Sequence, residues 1–255
     1  MELNSNISRK IIETVGANGT PPEYGFQYFT VGLEDYLDII DKEYLNSFIK
    51  DGGSTFKLVI GNYGGGKTHF LYSIRELAWK ENYIPSYVEL SPQKSPFHKF
   101  DEVYKSIVNN LVYRQDPEIL LSNYEKGIEA VLKFWYYAKY NELMGKVKNE
   151  NISEELKSYV NTCLGPYDST SFLNAIKEAF ISLHEKRMDD FTLILQWLKG
   201  ENPQKSLLKN YRIFEKVDNS TAFKMIRSLV QWLREIGYSG VIILLDEGEP
   251  FSGMT

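Results

Sequence analysis

Residues 61–68 read GNYGGGKT and contain the residue types that hold a phosphate group. Phosphate oxygens are bound by several backbone N–H groups at once, and glycine lets the backbone approach closely and adopt positive φ. We therefore expect Gly64, Gly65 and Gly66 to form an open cradle for phosphate oxygens. The spacing fits the Walker A pattern G-x-x-x-x-G-K-[ST] at every position, which predicts a nucleotide-binding loop.

The last two residues of this motif supply side chains for the rest of the phosphate chemistry. Lys67 is a point charge suited to the β- and γ-phosphates, which also makes it a predicted catalytic residue, and the hydroxyl of Thr68 suits Mg²⁺. A helix beginning here would add partial positive charge at its N-terminal end. A chance glycine-rich turn is the alternative. The predicted nucleotide contacts of the loop are Gly61, Asn62, Tyr63, Gly64, Gly65, Gly66, Lys67 and Thr68.

An apolar run that ends in two carboxylates lies near the end of the sequence. Residues 241–245 read VIILL and are followed by Asp246 and Glu247, the form of a Walker B motif. Asp246 is predicted to share Mg²⁺ with Thr68, and Glu247 to orient the water that attacks the γ-phosphate. Because a small-molecule kinase needs no such glutamate, the pair favours ATP hydrolysis. Solvated carboxylates that merely end a strand are the alternative.

Strands must place both motifs at one edge of a sheet. Residues 56–60, FKLVI, are apolar enough for a first core strand buried on both faces of a parallel sheet. Residues 84–90 predict a second strand, parallel to the first through a right-handed crossover, and residues 241–245 a further strand. These elements predict an α/β fold. Polar residues expected just beyond the second strand, with a supporting role at most, are Ser91, Gln93 and Lys94.

A short extended arm precedes the first predicted strand. Residues 26–31 are rich in aromatic side chains, and helical spacing resumes after Gly32 and continues to Phe48. In P-loop proteins an arm in this position commonly packs beside the base of the nucleotide. Val31 and Gly32 are therefore predicted to lie near the adenine, with a plain packing arm as an equally open alternative.

The middle of the chain is predicted to be almost entirely helical, from residue 100 to about residue 237. Asp116 and Pro117 are a good N-cap and first-turn pair, and the apolar spacing after them predicts one helix to about residue 149. A last helix over residues 220–236 leads into the Walker B strand. The predicted parts are an arm and helix flanking the nucleotide (1–55), the first part of the P-loop core (56–99), a helical insertion (100–219) and the core helix with the Walker B strand (220–255).

Composition excludes several classes of protein. A formal net charge of -5 gives no overall basic surface of the kind that marks a nucleic-acid binder, although a local basic face remains open. Cys163 is the single cysteine, which excludes an internal disulfide and suits a reducing compartment. His69, His98 and His184 are scattered, so we expect no metal cluster. Without a long apolar run, we expect a cytoplasmic protein with no membrane contact.

Several longer stretches carry a resemblance to a known family. They read IIETVGANGTPPEYGFQYFTVGLEDY at 11–36, GNYGGGKTHFL at 61–71, VELS at 88–91, WLKGE at 197–201 and IGYSGVIILLDEGE at 236–249. Together they resemble the ATP-binding proteins of BREX antiphage systems, most of all the BrxD-type P-loop ATPases, which are relatives of the AAA+ proteins. The resemblance implies a P-loop NTPase (AAA+/ASCE-like) fold, ATP and Mg²⁺ as cofactors, self-association, and work with DNA alongside other defence proteins.

The sequence differs from a complete AAA+ core in two ways. It ends shortly after Asp246, so we expect a parallel sheet that is incomplete at the C-terminus, without sensor, arginine finger or lid. The long interval between Lys67 and Asp246 implies a large all-helical insertion, a candidate partner-binding part. The leading hypothesis is an ATPase module acting as a homo-oligomer or with defence-complex proteins. The alternatives are a non-hydrolysing, nucleotide-gated module that binds protein or DNA, and a scaffold with a vestigial site.

Overall fold

A computed structural model describes residues 5–18, 24–25, 28, 30–62, 64–91, 96, 98–121, 123–146 and 151–247. The chain divides into two compact units. The first unit comprises Met1–Pro85 and Tyr113–Glu125, and the second comprises Ser86–Val112 and Lys126–Thr255. The four-part division predicted from the sequence uses other boundaries and stays a prediction.

Helices and a small sheet make up the described residues. In chain order the elements are α1 (Ser5–Asn18), α2 (Glu34–Ile39) continued by a π-helical segment (Ile40–Phe48), α3 (Lys67–Lys80), β1 (Tyr83–Glu89), α4 (Phe100–Asn109), α5 (Pro117–Leu120), α6 (Ile128–Met144), α7 (Ile152–Cys163), α8 (Thr170–His184), α9 (Met188–Leu198), α10 (Lys205–Leu208) continued by a 3₁₀ turn (Lys209–Tyr211), α11 (Ala222–Glu235) and β2 (Gly240–Asp246). No helix among them is long and apolar enough to cross a membrane.

The sheet consists of two parallel strands, β1 and β2. The N–H of Leu90 donates to the carbonyl oxygen of Asp246 at 2.9 Å, which aligns the carboxyl ends of the two strands. On β1, Ile84 and Val88 are fully buried, and Ser86 forms an isolated antiparallel bridge with Leu111. The strands predicted over residues 84–90 and 241–245 are therefore confirmed, with boundaries shifted by a residue or so.

The strand predicted over residues 56–60 is wrong. This segment belongs to no strand or helix, and the side chains of Phe56, Leu58 and Ile60 are 74%, 72% and 85% exposed. The crossover predicted between this segment and the second strand is wrong for the same reason. Apolar, β-prone residues favour a strand, but a strand also needs a hydrogen-bonded neighbour. In the described ranges β1 and β2 pair with each other, and residues 56–60 pair with neither.

The single helix predicted from Pro117 to about residue 149 is also wrong. The structure has one short helix, α5, no regular structure over residues 123–127, and α6 begins only after Gly127. Gly127 has φ +90°, and its N–H donates to the carbonyl oxygen of Leu111 at 2.7 Å. A Cβ atom at this position would lie 3.3 Å from the carbonyl oxygen of Asn109. The bond to Leu111 therefore overrides the local helical spacing. Residues 147–150 lie outside the described residues.

Aromatic side chains form the core of the second unit. The Trp135 ring on α6 lies 4.5 Å from the Phe180 ring on α8 and 6.0 Å from the Trp232 ring on α11, measured between ring centroids. Trp197 on α9 is also fully buried. The helix predicted over residues 220–236 is confirmed as α11, and its apolar face packs in this core. This packing positions α11, from which the chain continues directly into β2.

Candidate functional site

The glycines of the predicted phosphate loop have the backbone geometry that a cradle needs. Gly64 and Gly66 lie in the left-handed region, with φ of +75° and +81°. Gly65 does not have the positive φ that we expected. Glycine is required at this position because the backbone of Asn62 lies too close for a side chain. Its N–H donates to the carbonyl oxygen of Asn62 at 3.0 Å, and a Cβ atom there would lie 2.9 Å from that oxygen. Any side chain at 65 would therefore disturb the turn.

The helix after the loop begins where the sequence predicts. Gly66 is the N-cap of α3, and its carbonyl oxygen accepts from the N–H of Phe70 at 2.9 Å. The ammonium of Lys67 donates to the carbonyl oxygens of Gly61 at 2.8 Å and Asn62 at 3.1 Å. The lysine thus curls back over the loop, where an incoming phosphate would compete with these two carbonyls for its charge. Thr68 lies on the first turn of α3 and is exposed.

The arm before the loop is held against the same turn of α3. A hydrogen bond of 2.8 Å joins Oγ1 of Thr30 and Nε2 of His69. Val31 and Gly32 follow Thr30 and are exposed, and Gly32 has φ +80°. Burial lowers the pKa of His69 below its ordinary value, which favours the neutral ring. Val31 and Gly32, the residues predicted to contact the base, therefore follow a residue that is hydrogen-bonded to α3.

Sequence reasoning missed a second attachment to α3, made by Tyr24, which precedes the arm. Arg75 is buried, and its guanidinium carbon lies 4.0 Å from the ring centroid of Tyr24, 4.6 Å from that of Tyr72 and 5.5 Å from that of Trp79. Contacts of this kind stabilise a desolvated cation. The signal available in the sequence was an arginine three and four residues from two aromatic residues on one helix face.

The carboxylate of Asp246 is fixed at the end of β2. The residue is 8% exposed. Its Oδ2 accepts from the hydroxyl of Tyr87 at 2.6 Å, and its Oδ1 accepts from the N–H of Glu247 at 2.9 Å. Tyr87 lies near the carboxyl end of β1. Leu90, whose N–H donates to the carbonyl oxygen of Asp246, directly follows that strand. Sequence reasoning missed Tyr87, because only the pairing of the strands brings it to Asp246.

Glu247 follows β2 with a left-handed backbone. It has φ +58°, a conformation that costs a residue other than glycine about 1 kcal/mol or more. Its side chain is exposed. Backbone strain of this kind is common where a structure must aim a functional side chain. The N–H of Glu247 donates to the carboxylate of Asp246, which stabilises this conformation locally.

The predicted site residues are therefore divided between the two units. The loop residues with Val31 and Gly32 belong to the first unit, and Asp246 and Glu247 belong to the second. Ser91 follows the end of β1. Tyr63, Gln93 and Lys94 lie outside the described residues.

The other residues considered for chemistry are His98, Cys163 and His184. His184 shares a 3.1 Å hydrogen bond with the hydroxyl of Tyr136, and burial raises the pKa of the half-buried Cys163 thiol. His98 lies in a turn and is exposed. Among the residues that the structure describes, no group of three or more His, Cys, Asp and Glu side chains is arranged so that it could hold a metal ion.

A comparison with protein families matches nearly the whole chain. The model described as "BREX system ATP-binding protein BrxC/D" matches residues 3–255. No curated protein and no solved structure matches the chain.

Proposed function

Since the chain belongs to the BREX system ATP-binding protein BrxC/D family, we propose that it is an ATP-binding module that hydrolyses Mg·ATP in an antiphage defence system. The observation that carries this proposal is the loop over residues 61–68. Gly64 and Gly66 have left-handed backbone angles, and Gly65 packs directly against the carbonyl oxygen of Asn62. The side chain of Lys67 lies over the loop. The P-loop NTPase (AAA+/ASCE-like) fold, the BrxD-type assignment and the helical insertion are parts of the same proposal.

The loop fits the triphosphate of a nucleotide. Cβ atoms at 64 and 66 would meet nothing within 4 Å, which leaves that side of the loop open to phosphate oxygens, and the N-terminus of α3 adds partial positive charge. We assign the triphosphate to the backbone N–H groups of residues 64–68. Lys67 would leave the carbonyls of Gly61 and Asn62 for the β- and γ-phosphates, gaining a charge-assisted contact. Bound ATP would supply the γ-phosphoryl group that is transferred to water.

The base is assigned to the arm. Val31 and Gly32 are exposed, and the Thr30–His69 hydrogen bond keeps them near the first turn of α3. Gly32 has open space where a Cβ atom would be, which leaves room for a planar ring. This arrangement supports the prediction that the arm flanks the adenine.

Oxygen ligands suit Mg²⁺, and the proposal assigns two to it. These are the hydroxyl of Thr68 and the carboxylate of Asp246. Mg²⁺ bound there would neutralise phosphate charge. Glu247 is assigned the general base that accepts a proton from the attacking water, and its exposed carboxylate can receive that water.

Phosphate release measured on matched variants tests the assignment. Lys67→Ala should abolish release and weaken nucleotide binding, whereas Glu247→Gln should abolish release and leave binding intact. Lys57→Ala is the control, because Lys57 bonds the hydroxyl of Tyr44 and lies outside the loop. Equal release from the wild type and all three variants would show that these residues do not catalyse hydrolysis.

A second candidate function is a nucleotide-gated binding module without turnover. The exposed, unpaired segment 56–60 favours it, because a loop that follows such a segment is not mounted on a sheet strand. Tight ATP binding with no phosphate release would select this function.

Self-association, defence-complex partners and DNA contact are extensions of either function. A salt-dependent shift of labelled DNA, measured with and without ATP, tests the last of these.

A further inference from the structure

We propose that Tyr87 is a positioning residue for Asp246, holding its carboxylate in the orientation in which it receives the Mg²⁺ of a bound nucleotide. The inference rests on the proposed function, since it assumes the metal role of Asp246. It adds a residue that no sequence motif contains.

The contact itself is short and charge-assisted. The hydroxyl of Tyr87 donates to Oδ2 of Asp246 at 2.6 Å, within the range of hydrogen bonds from a hydroxyl to an ionised oxygen. Tyr87 lies on β1 and Asp246 on β2, and the parallel pairing of these strands sets the distance between them. The Leu90 N–H bond to the Asp246 backbone fixes the register at the same point. The side chain and the main chain of Asp246 are thus both held from β1.

The hydroxyl of Tyr87 contributes a hydrogen bond to Asp246 that packing of the ring alone would not provide. A phenylalanine would fill the same half-buried space, but it would leave a carboxylate that is 8% exposed without one of its donors. The bond therefore restricts the rotation of the carboxylate.

The same carboxylate also shapes the position of Glu247. Oδ1 of Asp246 accepts from the Glu247 N–H at 2.9 Å. Glu247 itself has φ +58°. Rotation of the carboxylate after loss of the Tyr87 bond would weaken this second bond. Tyr87 is thus expected to influence Glu247 through Asp246, without contact between Tyr87 and the reacting atoms.

Binding of a fluorescent ATP analogue over a Mg²⁺ titration tests the proposal on the full chain. Tyr87→Phe should raise the half-saturating Mg²⁺ concentration about tenfold, the size expected for losing a hydrogen bond to a charged group. Affinity for the analogue without Mg²⁺ should stay unchanged. Tyr211→Phe is the matched control, because Tyr211 donates to Asp190 at 2.7 Å within the helical part and should leave the titration as in the wild type.

A double-mutant cycle with Asp246→Asn separates a positioning role from a structural one. If Tyr87 acts through Asp246, Tyr87→Phe will change the Mg²⁺ titration in the wild type and not in Asp246→Asn. A lower melting temperature of Tyr87→Phe with an unchanged Mg²⁺ titration would overturn the inference and leave the proposed function standing. A wild-type protein that binds the analogue with no response to Mg²⁺, or fails to bind it, would overturn both.

Discussion

Oγ1 of Thr30 lies 2.8 Å from Nε2 of His69, which joins the arm before the phosphate loop to the helix after it. The two residues are far apart in the sequence, and each is adjacent to a predicted nucleotide contact, Val31 or Thr68. The bond links the part of the chain assigned to the base with the part assigned to the phosphates.

Loss of this bond should affect recognition of the base and not of the phosphates. Thr30→Val keeps the shape of the side chain and removes the hydroxyl, so we expect ATP binding to weaken about fivefold, the size of one neutral hydrogen bond. Binding of inorganic triphosphate, which has no base, should stay unchanged. Calorimetric titration with both ligands measures the difference. An equal loss for ATP and triphosphate would contradict a role of the arm at the base.

The glycines of the loop should differ from other glycines in their response to alanine. Gly65→Ala places a Cβ atom 2.9 Å from the backbone oxygen of Asn62, so the turn must shift, and we expect ATP affinity to fall at least tenfold. Gly16→Ala is the control. Gly16 lies in α1 with open space around it, and the change should leave binding unaffected and raise stability by about 0.5–1 kcal/mol. Similar ATP affinities of the two variants would argue against the cradle.

The exposure of residues 56–60 makes a prediction about stability. Ile60→Ala removes a side chain that is already in solvent and should change the free energy of unfolding by less than about 0.5 kcal/mol. Ile84→Ala removes a fully buried side chain of β1 and should cost about 2–5 kcal/mol. Urea denaturation of both variants measures the contrast. A cost at Ile60 as large as that at Ile84 would mean that the segment is a buried strand in solution.

The pH dependence of stability should reflect two histidines. Burial lowers the pKa of His69 and of His184 from 6.5, so the unfolded chain binds more protons than the folded chain in weak acid. This contribution is fully present above pH 6.5 and is lost as the pH falls through the lowered values. We expect the melting temperature to drop from pH 7.5 to 5.5, and the drop to be smaller in a variant with His69→Gln and His184→Gln. An unchanged slope in that variant would assign the effect to other groups.

The sequence by itself determined the features that depend on neighbouring residues. The backbone of the predicted phosphate loop follows from the glycines at 64–66, because positive φ at 64 and 66 and close approach at 65 disfavour other side chains. The start of α3 at Lys67 and the end of β2 at Asp246 follow from the residues around each boundary. Short-range sterics and hydrogen bonds set these features, and they act within a few residues of chain.

The tertiary structure decided the features that depend on a partner distant in the chain. The apolar residues 56–60 predict a strand, but strand formation requires hydrogen bonds from another segment, which the local sequence does not specify. The break before α6 depends on Leu111, the arm depends on His69, and the carboxylate of Asp246 depends on Tyr87. In each case the partner is brought near by the packing of whole elements, so residue types and their spacing could not reveal it.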